Sequence, residues 1–238
     1  MLQACLNGAR SPEEHAAVPR TPEAIARDFA ACVAAGADEG HLHPYAGAGE
    51  SLVPEVLADV VTACRHATDR PFGVSTHDQI PSQRGLVADI SNWTATPDYA
   101  SVNFYQADAP AIRRALESVG VGTEAGIWSV ADVAKLGDGP PPYRILIEVL
   151  MDDPAEALAE ADRILSALDK VDISTPRLLH GEGGSAWPLL RRAQALGLAA
   201  RIGFEDVIAD EEGRAVADNS ALIAAACRQS VSTDDYAP

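Results

Sequence analysis

Tyr143-Arg144-Ile145-Leu146-Ile147-Glu148-Val149 is the clearest buried strand in the chain. A Gly- and Pro-rich turn over 137–142 precedes it, and an alanine-rich amphipathic helix over 154–168 follows it. A short apolar run bounded by turn signals, with a helix next, reads as a parallel strand covered by helices. The same unit repeats in both directions. Further strands are expected at about 2–7, 38–43, 71–76, 99–104, 121–127, 177–180 and 200–204. The first helix is opened by Thr21 as N-cap and Pro22 in the first turn, carries Ile25, Phe29 and Val33 on one face, and stops at Gly36. The others are expected at 53–67, 83–92, 109–119, 129–136, 154–168, 186–196 and 220–228. Eight strand–helix alternations point to an α/β fold, a closed (β/α)8 TIM barrel, as a single domain over 1–238. The competing doubly wound sheet lacks its glycine fingerprint after the first strand. The polar, acidic tail 230–238 is expected to be disordered.

The 238 residues are 47% hydrophobic, enough for one large core, and carry a formal net charge of -17. That charge argues against a nucleic-acid partner and means that an anionic substrate must meet a local positive site. Cys5, Cys32, Cys64 and Cys227 show no CxxC spacing and read as reduced core thiols of a cytoplasmic protein. The first residues carry no secretory signal pattern, and no stretch is long enough for a membrane span, so no membrane partner is expected.

Gly40-His41-Leu42-His43-Pro44-Tyr45 ends the second strand. Side chains two apart on a strand share a face, so His41 and His43 are expected to present two imidazoles together. That is how a strand end supplies two of the three protein ligands of a catalytic zinc; an isolated His-x-His is otherwise an ordinary half-buried pair. Barrel sites lie at the C-terminal ends of the strands. There the sequence places His41 and His43, then Ser75, Thr76, His77 and Asp78, then Asn103 and Tyr105, Glu124, Glu148, His180 and Glu182, and finally Arg201, Glu205 and Asp206. Nearly every strand ends in a group that binds a metal, a proton or an oxyanion, which favours an enzyme. Glu205 is the candidate third ligand: two neutral imidazoles and one carboxylate leave Zn2+ a net positive charge and an open position for Lewis-acid work. Arg201, four residues earlier, is expected on the same side, where it orients Asp206, the candidate general base. A plain strand-end ion pair is the structural alternative for Arg201 and Asp206, as a backbone-bonded core residue is for His180. His15 and His66 read as surface residues.

At these residues the chain resembles the β-keto acid cleavage enzymes, typified by the 3-keto-5-aminohexanoate cleavage enzyme. The resemblance runs through Leu6-Asn7-Gly8-Ala9-Arg10, Ala35-Gly36-Ala37, His41-Leu42-His43-Pro44, Gly73-Val74-Ser75-Thr76 and Ala100-Ser101-Val102-Asn103. It continues through Glu124-Ala125-Gly126-Ile127-Trp128, Leu178-Leu179-His180-Gly181-Glu182-Gly183 and Arg201-Ile202-Gly203-Phe204-Glu205-Asp206. It implies a zinc-dependent TIM barrel that assembles as a homo-oligomer, a tetramer or dimer. The implied reaction condenses a β-keto acid with acetyl-CoA and releases acetoacetate and a new acyl-CoA. Carried over, His41, His43 and Glu205 would bind zinc, Ser75 and Asn103, with Thr76 beside them, would hold the keto acid, and Arg201, Asp206 and Glu124 would form the acid–base network.

The chain departs from its relatives in three places. Tyr45 and Ala46 stand where relatives carry Arg and Asp, which removes a positive charge and trims the following loop; His77 and Asp78 follow Val-Ser-Thr where a glycine is common; and Val207 follows the Glu-Asp pair. Trp93, Trp128, Trp187 and Tyr105 are candidates for apolar walls of the substrate site. Two other readings fit the same ligand set: a zinc hydrolase on the same barrel, and a non-catalytic metal-binding descendant.

Overall fold

The structure, a computed structural model, describes residues 1–231 apart from Asp138 and Asp172. The expected tail therefore lies outside the described residues from 232 onward, and its first two residues end the last helix. Eight parallel strands close into a barrel: β1 (Leu2–Cys5), β2 (Glu39–Leu42), β5 (Phe72–Ser75), β6 (Tyr99–Asn103), β7 (Gly122–Ile127), β8 (Arg144–Val149), β9 (Arg177–Gly181) and β10 (Ala199–Ile202). The two intervening strands, β3 (Tyr45–Ala46) and β4 (Gly49–Glu50), pair as an antiparallel hairpin above β2. β1 pairs with both β10 and β2, which closes the ring.

A helix follows each barrel strand: α1 (Pro22–Ala35), α2 (Pro54–Ala67), α3 (Leu86–Ser91), α4 (Ala109–Ser118), α5 (Val130–Val133), α6 (Pro154–Leu168), α7 (Ala186–Ala195) and α8 (Asn219–Val231). The Thr21 hydroxyl accepts the Ala24 N–H at 3.2 Å, so the N-cap read from sequence forms; Asp153 caps α6 in the same way, accepting the N–H groups of Ala155 and Glu156. α3 and α5 are shorter than expected. Gly85, at φ +87°, starts α3 late, and the Ser129–Asp132 capping box opens a helix of one turn.

Strand faces alternate as the period of two requires. Ala4, Leu42, Val74, Val102, Ile127, Ile147, Leu179 and Ile202 are buried in the apolar layer that includes the helices. The barrel interior is polar. Gln3 on β1 reaches Tyr99 on β6 at 2.9 Å and Glu124 on β7 at 3.4 Å; these strands do not neighbour β1, so the contacts cross the lumen. Arg144, the first residue of β8, pairs there with Glu39 and Glu124. This plug seals the N-terminal end of the barrel. Its charges are worth little over an apolar filling but are costly to break singly.

Two glycines shape the opposite end. A Cβ on Gly203 would lie 1.9 Å from the Cys5 carbonyl oxygen, so the chain after β10 crosses directly over the end of β1. Gly8, at φ +51°, leaves room that a side chain would take from Glu205, whose Cγ would be 2.3 Å from its Cβ. Asn219, at the start of α8, accepts the Phe204 N–H at 2.6 Å and donates to the Leu6 carbonyl at 2.8 Å, pinning these two crossing segments together.

Candidate metal centre

β2 carries His41 to the C-terminal mouth, and His43 follows one residue beyond the strand end. The Asn7 amide fixes that exit: it accepts the His43 N–H at 2.9 Å and donates to the His43 carbonyl at 2.9 Å. The strand β10 ends at Ile202, short of the expected 204, yet the turn that follows still brings Glu205 against Arg201. The same-side placement expected of a strand is thus achieved by the bend at Gly203.

His41 Nε2 lies 3.3 Å from His43 Nε2 and 3.7 Å from Glu205 Oε2, and His43 Nε2 lies 3.4 Å from Glu205 Oε1. Ligands about 2.0–2.1 Å from one tetrahedral ion stand about 3.3 Å apart; the two imidazole nitrogens have that spacing, and each faces one oxygen of the Glu205 carboxylate. Glu205 Oε2, which faces His41 Nε2, is buried and, among the described residues, has no hydrogen-bond partner. An unpartnered carboxylate oxygen beside two converging ring nitrogens fits a bound cation. Two imidazoles and a carboxylate suit zinc chemistry.

Burial, with Arg201 and His43 adding to it against the pull of Glu205, drives His41 down to about 3, so it is neutral and ready to ligate at neutral pH. Burial also lowers His43, but the Glu205 and Glu50 carboxylates outweigh it and hold this imidazole up at about 10. Burial raises Glu205, yet Arg201 and the two histidines keep it well below the usual carboxylate range.

Behind the ligands, Arg201 Nη2 sits 2.7 Å from Glu205 and 2.8 Å from Asp206. Asp206 also meets the Cys5 thiol at 2.9 Å and His180 Nδ1 at 3.5 Å, and is fully buried. Burial works against its ionisation, but Arg201 and His180 hold its carboxyl low. His180 stands between Asp206 and Glu148, whose Oε2 is 3.8 Å from Nε2; burial and Arg201 press it down, and Asp206 with Glu148 lifts it to about 9. Burial, with Asp206 and Glu148 nearby, raises Glu182 to about 7.

A cavity of about 390 Å³ opens over this centre. Its lining includes the three candidate ligands and Arg201, with Ser75, Ser101 and Asn103 on one side, Glu148 and Glu182 on another, and Arg10 at the rim. Tyr105 and Trp128, in edge contact at 4.8 Å, form the apolar wall. The other two tryptophans do not reach it: Trp93 donates to the Leu52 carbonyl and Trp187 to that of Ala209, each packed between elements.

Three further expectations change. Glu124 is not at the mouth: it stands opposite Arg144, the first residue of β8, in the ion cluster that closes the far end of the barrel. β7 ends at Ile127, and Trp128 just beyond it lines the mouth. Thr76 spends its hydroxyl on the Ser101 carbonyl at 2.6 Å and is buried. His15 is not a plain surface residue; it packs on Phe204 with ring centroids 4.3 Å apart. Residues the sequence reading passed over also appear. Glu50 touches His43 Nδ1 at 2.7 Å and His77 Nε2 at 2.8 Å. Its signal was the pair Gly47 and Gly49, which makes a hairpin of the trimmed loop. Arg20 lies 3.8 Å over the Tyr45 ring, so a cation stands above the position where relatives carry arginine.

Among the described residues no helix is long and apolar enough to cross a membrane. Cys5, Cys32 and Cys64 are buried, and none of the four thiols forms a disulfide.

A family model described as beta-keto acid cleavage enzyme matches residues 1–234. A comparison with curated protein sequences finds no match. Among solved structures, a binary complex of ObcA with oxaloacetate is similar with a TM-score of 0.68 at 16% identity, over 91% of this chain and 64% of that one. A ternary complex of ObcA with a C4-CoA adduct and oxalate aligns with a TM-score of 0.65 at 16% identity, over the same shares of the two chains, 91% and 64%. The type I 3-dehydroquinate dehydratase from Clostridium difficile, with covalently modified comenic acid, aligns with a TM-score of 0.64 at 12% identity, over 93% of this chain and 90% of that one. At these identities the likeness is one of fold.

Proposed function

The chain belongs to the beta-keto acid cleavage enzyme family, and on that premise we propose that it transfers an acyl group from a β-keto acid to coenzyme A, with acetyl-CoA as co-substrate and zinc as cofactor. The observation that carries this reading is the convergence of His41, His43 and Glu205 donor atoms, all within 4.8 Å of one another, on the floor of a cavity that also presents Ser75 and Asn103. The fold-similar ObcA is described with a C4-CoA adduct, which supports coenzyme A as a partner; this chain spans 64% of the ObcA chain.

In this reading His41, His43 and Glu205 hold the cation, which supplies Lewis-acid polarisation of the substrate's keto group. Ser75 and Asn103 take the substrate carboxylate by hydrogen bonds, and Arg10 at the rim offsets its charge. The methylene between the two carbonyls loses a proton to the Arg201–Asp206 pair. Asp206 is closed off by Arg201, so Arg201 must turn toward the substrate to open it, and its positive charge then stabilises the developing anion. The carbanion attacks the acetyl thioester carbonyl and expels the thiolate of coenzyme A. That thiolate then attacks the substrate's original keto carbonyl and breaks its bond to the former methylene carbon; the carbanion so released takes back the abstracted proton, leaving acetoacetate and the new acyl-CoA. A second acceptor is favoured by one observation: Glu182 already lines the cavity and is held at about 7, near the value a general base needs. Assembly as a homotetramer or homodimer belongs to the same proposal.

The test is turnover of a β-keto acid panel with and without acetyl-CoA, with products read by mass spectrometry. Acetoacetate together with a new acyl-CoA, formed only when acetyl-CoA is supplied, is the expected result. Zinc-loaded protein that hydrolyses its substrate without acetyl-CoA would instead make it a hydrolase. Asp206→Asn is expected to keep its metal and lose turnover; if Glu182→Gln alone abolishes it, the proton goes to Glu182.

A further inference from the structure

The hairpin above β2 holds a chain of hydrogen bonds that ends at the metal centre. The Gln79 N–H donates to His77 Nδ1 at 3.2 Å. A backbone amide can only donate, so Nδ1 accepts and the His77 proton is on Nε2. That Nε2–H donates to Glu50 Oε2 at 2.8 Å, and the same oxygen accepts from His43 Nδ1 at 2.7 Å. A carboxylate only accepts, so His43 carries a proton on Nδ1, and as a neutral ligand its lone pair is on Nε2. Nε2 is the atom that faces His41 and Glu205, at 3.3 Å and 3.4 Å. Glu50 is itself held by the pairing of Glu50 with Tyr45 across the hairpin, and the Tyr45 hydroxyl donates to the carbonyl of Gly8, the residue over which Glu205 packs.

We propose that Glu50 is a positioning residue that fixes the tautomer and ring orientation of His43 for metal binding, and that His77 holds Glu50 in place. The inference rests on the reading of His41, His43 and Glu205 as metal ligands, and it gives a role to the histidine that replaces a small residue after Ser75-Thr76. A carboxylate behind a ligating imidazole raises its basicity and removes its freedom to turn, and loss of such a partner lowers metal affinity roughly 10–100-fold. The same three side chains also cluster closely enough to hold a cation of their own. The two contacts at 2.7 and 2.8 Å to one oxygen are hydrogen-bond lengths, and they use the protons that such an ion would displace.

The experiment measures zinc affinity by competition with a chromophoric chelator for the wild-type chain, Glu50→Gln, Glu50→Ala, His77→Phe and His41→Ala. Circular dichroism of the metal-free forms checks the fold, and long-range 15N–1H correlation spectra of the zinc-loaded forms read the histidine tautomers. The expected result is about one zinc per wild-type chain, affinity lower by roughly 10–100-fold in Glu50→Ala, smaller losses in Glu50→Gln and His77→Phe, and an Nδ1-protonated His43 in the wild type that loses its single tautomer in Glu50→Ala. Wild-type affinity and an unchanged His43 spectrum in Glu50→Ala overturn the role of Glu50 alone. Two zinc ions per wild-type chain, falling to one in His77→Phe, make Glu50 a ligand and overturn it too. If His41→Ala binds zinc as the wild type does, the metal centre itself fails, and Glu50 with it.

Discussion

Arg201→Met removes the one guanidinium that stands between the buried Asp206 carboxylate and the mostly buried Glu205 carboxylate. Arg201 is 2% exposed and Asp206 0%, and the guanidinium meets Asp206 at 2.8 and 3.3 Å and Glu205 at 2.7 Å. Methionine fills much of the same volume, so the change is mainly one of charge. Breaking a buried pair by removing one partner costs about 3–5 kcal/mol, because the remaining charge has no compensation. For a chain of 238 residues, at about 2–4 °C per kcal/mol, the melting temperature of the metal-free protein should fall by roughly 6–20 °C. The pH dependence follows from the direction of the shifts. Both carboxyls are held below their ordinary values of 4.5 and 3.8, so the stability they contribute is present above those values and is lost as pH falls through the lowered ones. The gap between wild type and variant should therefore be largest near pH 7 and close in acid. Asp206→Asn in the Arg201→Met background should restore part of the loss, since it removes an orphaned charge. Urea unfolding in the presence of a chelator, from pH 7 to well below pH 3.8, so that the lowered values are crossed, measures all of this. A loss under about 1 kcal/mol at pH 7, or a gap that stays constant into acid, would refute the reasoning.

Zinc must displace the proton that His43, held at about 10, carries at neutral pH. Loading at pH 7 should therefore release about one proton, and apparent affinity should rise about tenfold per pH unit from 7 to 9; calorimetry in buffers of different ionisation enthalpy counts the protons, and a release of zero contradicts the site's electrostatics. Asn219→Ala leaves the Phe204 N–H and the Leu6 carbonyl without the partner they have now, so unfolding experiments should show a loss of about 2–4 kcal/mol; a loss below about 0.5 kcal/mol, the size of an ordinary surface change, would mean that α8 is not pinned there.

The barrel was legible because its signals are local. The apolar run 144–149, the cap Thr21 and the stop at Gly36 each act within one or two turns of chain. The His41–His43 pair was legible for a related reason: strand periodicity and the C-terminal rule of barrels need no knowledge of loop paths; Glu205 joins it through the bend at Gly203, beyond the end of β10, which periodicity does not show. What failed depended on depth along a strand or on long-range partners. Glu124 looked like a site residue in sequence, but its third place on β7 puts it level with Arg144, and only the register across strands shows that. Trp93 and Trp187 are aromatic in sequence and structural in space, because each indole N–H finds a backbone carbonyl far along the chain. Glu50 was hidden by the hairpin; its contact with His77 joins residues 27 positions apart. The polar lumen, with Gln3 reaching Glu124 across 121 positions, has no local signature.

The measurement that bears most directly on the account is the metal content of purified wild-type, His41→Ala and Glu205→Gln proteins, reconstituted with zinc, desalted and read by elemental analysis. The account predicts about one zinc per wild-type chain at the centre formed by His41, His43 and Glu205, and its loss in both variants with the barrel intact by circular dichroism. Equal zinc in all three proteins, or none in the wild type, would contradict it.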